Sequence, residues 1–187
     1  MVSSPFLPQS PLPAERSPRA SLDRIFRVDL AGEQGAEAIY AGQLWALGPR
    51  HPLAFLIQDM ASHEAKHRQG FQKYMADHQG RPSLLGPLWN GLGLALGAVT
   101  GLLGGQAAMA CTTAVESVIN AHYASQIDQV QNTFPDLAQF LRACQEEEMH
   151  HHDISLAHGA SEAPYAESLQ ALIRASTRLA VSIAKRI

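Results

Sequence analysis

Four stretches of this chain put carboxylates where a helix would bury them, and the counter-charge they demand constrains the fold more than any other feature. An α-helix turns about 100° per residue, so positions 3, 4, 7, 11 and 14 apart share a face. From Leu137 that face takes in Leu141, Cys144, Glu148, His151 and Ser155. Within the run EEEMHHHDI, residues 146–154, Glu148 and His151 therefore point to the core, while Glu146, Glu147, His150 and His152 turn toward solvent. A stripe beginning at Leu53 repeats the pattern: Ile57, Met60, Glu64, His67, Phe71. An earlier stripe holds Phe26, Leu30, Glu33, Glu37, Tyr40 and Leu44, and periodicity leaves Glu33 and Glu37 both open as its inward acid. A stripe between the two Glu-x-x-His pairs holds Met109, Thr113, Glu116, Asn120, Tyr123 and Ile127.

The order along the chain is thus Glu, Glu-x-x-His, Glu, Glu-x-x-His, two copies of one helical hairpin, each supplying half a site. A buried carboxylate without a partner costs several kcal/mol, and these stripes carry few cations. Metal ions resolve the conflict. Single glutamates from two helices joined to Glu-x-x-His pairs from two others are the ligand set of ferritin-like two-metal bundles. Oxygen donors with two nitrogens suit iron or manganese better than zinc.

No alternating strand pattern appears, so the chain is expected to be all-α. Helices are expected at about residues 24–47 (capped by Asp23, stopped by Gly48-Pro49), from about 52 to 80, and at about 107–131. A fourth is expected at about 132–159, capped by Asn132 or Thr133 with Pro135 in its first turn, and a fifth at about 163–186, capped by Ser161. Residues 1–22, with five prolines, read as a disordered tail ahead of one domain spanning 23–187. The acidic balance, net charge −3, excludes a broad nucleic-acid surface. Two cysteines, Cys111 and Cys144, make no disulfide framework and fit a reducing compartment.

Four stretches resemble a known family, the demethoxyubiquinone hydroxylases, di-iron monooxygenases of ubiquinone biosynthesis. They are RVDLAGEQGAEAIYAGQ (27–43), HEAKH (63–67), PLWNGLGLALGAVTGLLGGQAAMACTTAVE (87–116) and EEEMHHHDISLAHGA (146–160). The resemblance selects Glu33 over Glu37 and supports Glu64, His67, Glu116, Glu148 and His151 as ligands of two iron ions. It implies O₂-dependent hydroxylation of a polyprenylated demethoxy-benzoquinone or quinol ring, with Glu64 and Glu148 bridging and Glu33 and Glu116 terminal; it names no electron donor. Each ligating histidine needs an acceptor at its other nitrogen. Glu147 is a candidate, set against a plain surface acid. His122 lies off its stripe and reads as a surface residue, Tyr123 as core; the resemblance moves both toward the substrate or electron-transfer side.

Residues 82–115 carry no charge, and charged residues are only 17 % of the chain, below the usual quarter or so. A span at this point would put the two hairpins on opposite sides of a bilayer and divide the site. Segment 82–108 is therefore expected to form an apolar helix lying on the membrane surface, the alternative being burial against protein. The expected architecture is a ferritin-like four-helix bundle with that extra helix and a C-terminal one. The C-terminal helix sets Arg174, Arg178 and Lys185 opposite Leu169, Ile173, Ala180 and Ile183, a face for solvent or for anionic headgroups. Expected partners are the quinone, the membrane surface, and either ubiquinone-biosynthesis proteins or further copies of the chain. The expected location is the cytoplasmic face of a bacterial inner membrane, or the matrix face of the mitochondrial one. Two other functions remain in competition: iron oxidation and storage of ferritin type, and a non-catalytic quinone-binding scaffold.

Overall fold

The structure, a computed structural model, describes residues 18–186. Six helices follow one another: α1 (Pro18–Leu47), α2 (Ala54–Asp77), α3 (Gly86–Leu102), α4 (Gly105–Val130), α5 (Pro135–Ala157) and α6 (Ala166–Ala184). There is no strand among the described residues. This is the expected all-α bundle with one apolar helix inserted and one appended.

The ends of the helices depart from the expected caps. Most of the anticipated tail lies outside the described residues, but its last five residues belong to α1. Proline fits that first turn, where its missing N–H has no intrahelical acceptor to lose. Asp23 is therefore inside the helix and caps nothing. Gly48 ends α1 as expected, at φ +79. Neither Asn132 nor Thr133 caps α5: Phe134 holds that position, with no side-chain cap, and Pro135 opens the helix. Ser161 lies in a short 3-10 turn, Ala160–Glu162, and α6 starts four residues later, after Tyr165 at φ +55.

Helices α1 and α2 form one hairpin, α4 and α5 the other. Between the hairpins the backbones stay apart, and long side chains fill the gap. Two apolar clusters close its ends. Phe26, Leu30, Phe71, Ile127, Leu137 and Leu141 pack at one end. Tyr40, Ile57, Met60, Met109 and the alanines 107, 108 and 110 pack at the other. The inward acids and imidazoles lie between them, shielded from water at both ends.

The uncharged segment becomes α3, which lies along α1 rather than inside the bundle. Its buried positions are Gly93, Gly97, Thr100 and Gly101. A Cβ on Gly93 would come within 2.6 Å of the Gly35 carbonyl, one on Gly97 would collide with the Ile39 carbonyl, and one on Gly101 would reach Gln43 and Ala46. Both helices count upward through these contacts, so they run parallel, with backbones closer than any side chain would permit. The opposite face of α3 leaves Leu88, Leu92, Leu94, Val99 and Leu102 exposed, and on α1 Trp45 is 73 % exposed. Among the described residues no helix is long and apolar enough to cross a membrane. α6 packs on α4 and buries Ile173, Val181 and Ala184, yet Leu172 and Leu179 are exposed, so its outer face is not the purely basic one expected.

Candidate metal centre

All six inward side chains converge. Glu33, Glu64, His67 and Glu148 offer one ligand atom each within 4.8 Å of one another, and so do Glu64, Glu116, Glu148 and His151. Glu64 and Glu148 belong to both groups. Every one of these residues is buried. Glu37, the other acid on the α1 stripe, is half-buried and pairs with Arg68 at 2.7 Å, so tertiary packing decides for Glu33.

The polar atoms crowd together without pairing off. His67 Nδ1 is 3.1 Å from Glu148 Oε1, 3.5 Å from Glu33 Oε2 and 3.8 Å from Glu64 Oε2. Buried though they are, His67 Nδ1, Glu33 Oε2 and Glu64 Oε1 have no hydrogen-bond partner. Orphaned buried donors and acceptors are rare in native proteins and call for an explanation such as an ion. Lone pairs gathered around shared points, with two carboxylates common to both groups, fit two metal ions.

The protonation balance carries the same message. Burial lifts the Glu33 carboxyl well above its ordinary range; the neighbouring His67 imidazole opposes this, and the Glu64 and Glu148 charges add to it. Burial, then repulsion by Glu148 and Glu64, lifts Glu116 likewise. For Glu64 burial is outweighed by the close approach of the His151 and His67 imidazoles, and its value falls to about 2. Burial disfavours imidazolium at His151, but Glu148 and Glu64 raise it to about 9. Burial opposes protonation of His67 too, and Cys144, Glu148, Glu33 and Glu64 override it strongly. Protons thus supply the positive charge that the cluster needs when nothing else does; divalent cations supply it more fully.

Beside this cluster opens a cavity of about 330 Å³, lined by α1, α3, α4 and α6. Its walls include Ile39, Trp89, Leu96, Ile119 and Val181, and Glu33, Glu64, Glu116 and Glu148 lie along its inner end.

Residues 20–184 match the family described as Ubiquinone biosynthesis protein COQ7. The chain belongs to that family. It is 44 % identical over 176 residues to the 3-demethoxyubiquinol 3-hydroxylase of Rhodospirillum rubrum, covering 94 % of this chain and 83 % of that protein. It is 45 % identical over 173 residues to the human mitochondrial NADPH-dependent 3-demethoxyubiquinone 3-hydroxylase, covering 90 % of this chain and 79 % of that one. To the mitochondrial 5-demethoxyubiquinone hydroxylase of Saccharomyces cerevisiae it is 36 % identical over 185 residues, covering 90 % and 79 %.

The remaining candidates are distributed around the centre. Glu147 Oε2 sits 3.0 Å from His67 Nε2, the acceptor position its sequence neighbourhood suggested. Tyr123 donates a short hydrogen bond to Glu33 Oε1 and also lines the cavity. His122 corrects the surface reading. It is only 5 % exposed, because α6 and the cavity wall cover the side of α4 that would face water in an isolated hairpin. Its Nε2 lies 3.0 Å from Gln126 Nε2 and 3.5 Å from Asp29 Oδ1, and Gln126 donates to Asp29 at 2.8 Å.

Periodicity passed over His63, Asp29 and Gln126, and it set Tyr40 on the inward stripe without giving it a role. Tyr40 donates to Glu116 Oε1 at 3.0 Å, and its counterpart in the second copy was available as a signal: Tyr40 follows Glu33, and Tyr123 follows Glu116, by seven residues. Burial and the neighbouring carboxylates push both phenols well above their ordinary range, so both remain donors. His63 Nδ1 lies 3.0 Å from His151 Nε2. It precedes Glu64 as Glu147 precedes Glu148, and aligning the two copies points to it as well.

Proposed function

We propose that this chain is an O₂-dependent di-iron monooxygenase that hydroxylates the ring of a polyprenylated demethoxy-benzoquinone or quinol in ubiquinone biosynthesis. The observation that carries the reading is an apolar cavity ending on a cluster of four buried carboxylates and two imidazoles, in a chain whose relatives are named as hydroxylases of this substrate class. Glu33, Glu64, His67 and Glu148 would hold one iron and Glu64, Glu116, Glu148 and His151 the other. Bound iron would supply the electron chemistry with O₂ that side chains lack, one oxygen atom entering the ring and the other leaving as water, with two electrons and two protons drawn from an external reductant.

The chain's own residues do the rest. Tyr40 and Tyr123 each hold one oxygen of a terminal glutamate, Glu116 and Glu33 respectively, and leave the other free to ligate. Trp89, Leu92 and Leu96 from α3 and Val181 and Ala184 from α6 wall the cavity and exclude water. The volume suits a substituted ring with the start of its tail. His122, held by Gln126 and Asp29, is one of the polar groups on a mostly apolar wall, where a ring oxygen can accept or donate a hydrogen bond.

The tail leads outward between helices that carry exposed leucines, Leu92 and Leu94 on α3 and Leu172 and Leu179 on α6. These faces would rest on the bilayer that holds the substrate, as a surface-bound rather than spanning protein. Its location on this reading is the cytoplasmic face of a bacterial inner membrane or the matrix face of a mitochondrial one; relatives named as mitochondrial and one from Rhodospirillum rubrum support the choice of compartment only. An iron store would need a polar route for its cargo; the apolar walls of this cavity disfavour it.

The test is conversion. Protein loaded with ferrous iron, given a chemical reductant, labelled O₂ and a demethoxyquinone in vesicles, should yield a ring hydroxyl carrying the label. Absence of product with any reductant, in protein shown to hold two irons, would overturn the proposal. A quinone scaffold without catalysis predicts unimpaired quinone synthesis in cells carrying Glu148→Ala.

A further inference from the structure

We infer that His63 and Glu147 are positioning residues that make the two metal positions unequal, the one at His67 binding its ion more tightly. This rests on the two-metal reading above and adds to it an order of loading. Both ligand histidines turn Nδ1 inward and Nε2 outward. His151 Nδ1 lies 3.1 Å from Glu64 Oε1 and 3.2 Å from Glu148 Oε2, as His67 Nδ1 lies among Glu33, Glu64 and Glu148. The outward nitrogens meet different chemistry. His67 Nε2 faces the carboxylate of Glu147 at 3.0 Å, and His151 Nε2 faces the imidazole of His63 at 3.0 Å.

Equivalent positions of the two hairpins supply these partners, each residue immediately preceding a shared glutamate. A carboxylate only accepts hydrogen bonds, so His67 must carry its hydrogen on Nε2 and present a bare Nδ1 to a metal. The His63 and His151 rings lie within 6° of one plane with centroids 5.3 Å apart, edge to edge, as an N–H···N bond requires. With His151 ligating through Nδ1, its Nε2–H donates to His63 Nδ1, and His63 keeps its own hydrogen on Nε2. Both imidazoles are thereby fixed in one tautomer. An anionic acceptor, however, raises the donor strength of its imidazole more than a neutral ring does.

The two partners also approach each other, His63 Nδ1 lying 4.0 Å from Glu147 Oε2. The outward nitrogens of both ligands are thus joined across the α2–α5 face. This link sits at the rim of the site: the His63 side chain is 24 % exposed and that of Glu147 47 %, so substitutions there leave the core intact.

The experiment is titration of metal-free full-length protein with cobalt(II), followed by calorimetry and by the visible absorption of the bound ion. Wild type should bind two ions in two resolved steps with distinct spectra. Glu147→Gln should weaken the tighter step by about 10- to 100-fold and shift the spectrum of that ion. His63→Gln should act on the weaker step, and His63→Glu, which gives both imidazoles a carboxylate, should bring the steps together. Two equal steps in wild type, or variants that move both steps alike, would overturn this inference and leave the two-metal reading standing. Failure of wild type to bind two ions would overturn both.

Discussion

The two hairpins of this bundle are built to one plan and finished differently. In α1–α2 the chain sets Glu33, Tyr40, Glu64 and His67; in α4–α5 it sets Glu116, Tyr123, Glu148 and His151 at matching intervals. Each tyrosine crosses to the other hairpin's lone glutamate, so neither half is complete alone. The halves diverge around this shared interior. One carries His63 where the other carries Glu147. One receives α3 against its backbone through glycines, while the other receives α6 through Ile173 and its neighbours. Tyr123 borders the cavity, whereas Tyr40 is packed in the apolar cluster beyond it. The repeated pattern accounts for the near-symmetric set of buried carboxylates and imidazoles; the divergence leaves one side of the cluster bordering the cavity.

The largest effect should come from residues that both halves share. Glu148→Ala should remove both ions, with hydroxylation falling to background, whereas Glu116→Ala or Glu33→Ala should each cost one ion; elemental analysis decides. An ion retained by Glu148→Ala would break the assignment of a common bridge. The next effect concerns charge balance in chelated protein. Glu33 and Glu116, raised by burial, contribute stability that is present at low pH and lost as pH rises through their folded values. His151, raised to about 9, contributes below its ordinary value of 6.5 and loses that contribution between the two. Glu64 acts oppositely: held at about 2, its contribution is present above the ordinary carboxylate range and lost only as pH falls toward that value. The melting temperature of metal-free protein should therefore drop by several degrees from near neutral to pH 9, and iron loading should abolish the drop. Scanning calorimetry with and without chelator checks it.

The accessory helices should respond unequally. Gly97→Ala drives a methyl into the Ile39 carbonyl and should cost about 1–3 kcal/mol, with a fall of about 2–4 °C in Tm for each kcal/mol. Ile173→Val, at the α6 contact, should cost only about 0.5–1.5 kcal/mol. Tyr40→Phe and Tyr123→Phe each remove one hydrogen bond worth about 1–2 kcal/mol. Their stability losses should match, while only Tyr123→Phe should change KM for the quinone, which steady-state kinetics would show. The smallest effect belongs to Arg68→Ala, which breaks the ion pair with Glu37 at the surface and should cost under about 1 kcal/mol. Its metal content should be unchanged; a lost ion would reopen Glu37 as a ligand.

Much of this was legible in the order of residues. Helical period places Glu64, His67, Glu116, Glu148 and His151 on apolar stripes, because burial of a stripe follows from a rotation that each helix carries within itself. The same rule turns Glu146 and His150 outward, as observed. It places α3 only loosely, for a glycine-rich apolar run reads alike as a membrane span, a surface helix or a buried one; the close fit of Gly93, Gly97 and Gly101 onto α1 decides its position. Periodicity could not choose between Glu33 and Glu37, since both lie within one stripe, and Arg68 from another helix makes the choice. It placed His122 at the surface because the helix that covers it lies some fifty residues later in the chain. Which residues face inward was settled locally, by turns of single helices. Which of them touch, and thus the pairing of tyrosine with glutamate, of His63 with His151 and of Glu147 with His67, depended on how far the hairpins slide along each other, a quantity no single helix encodes.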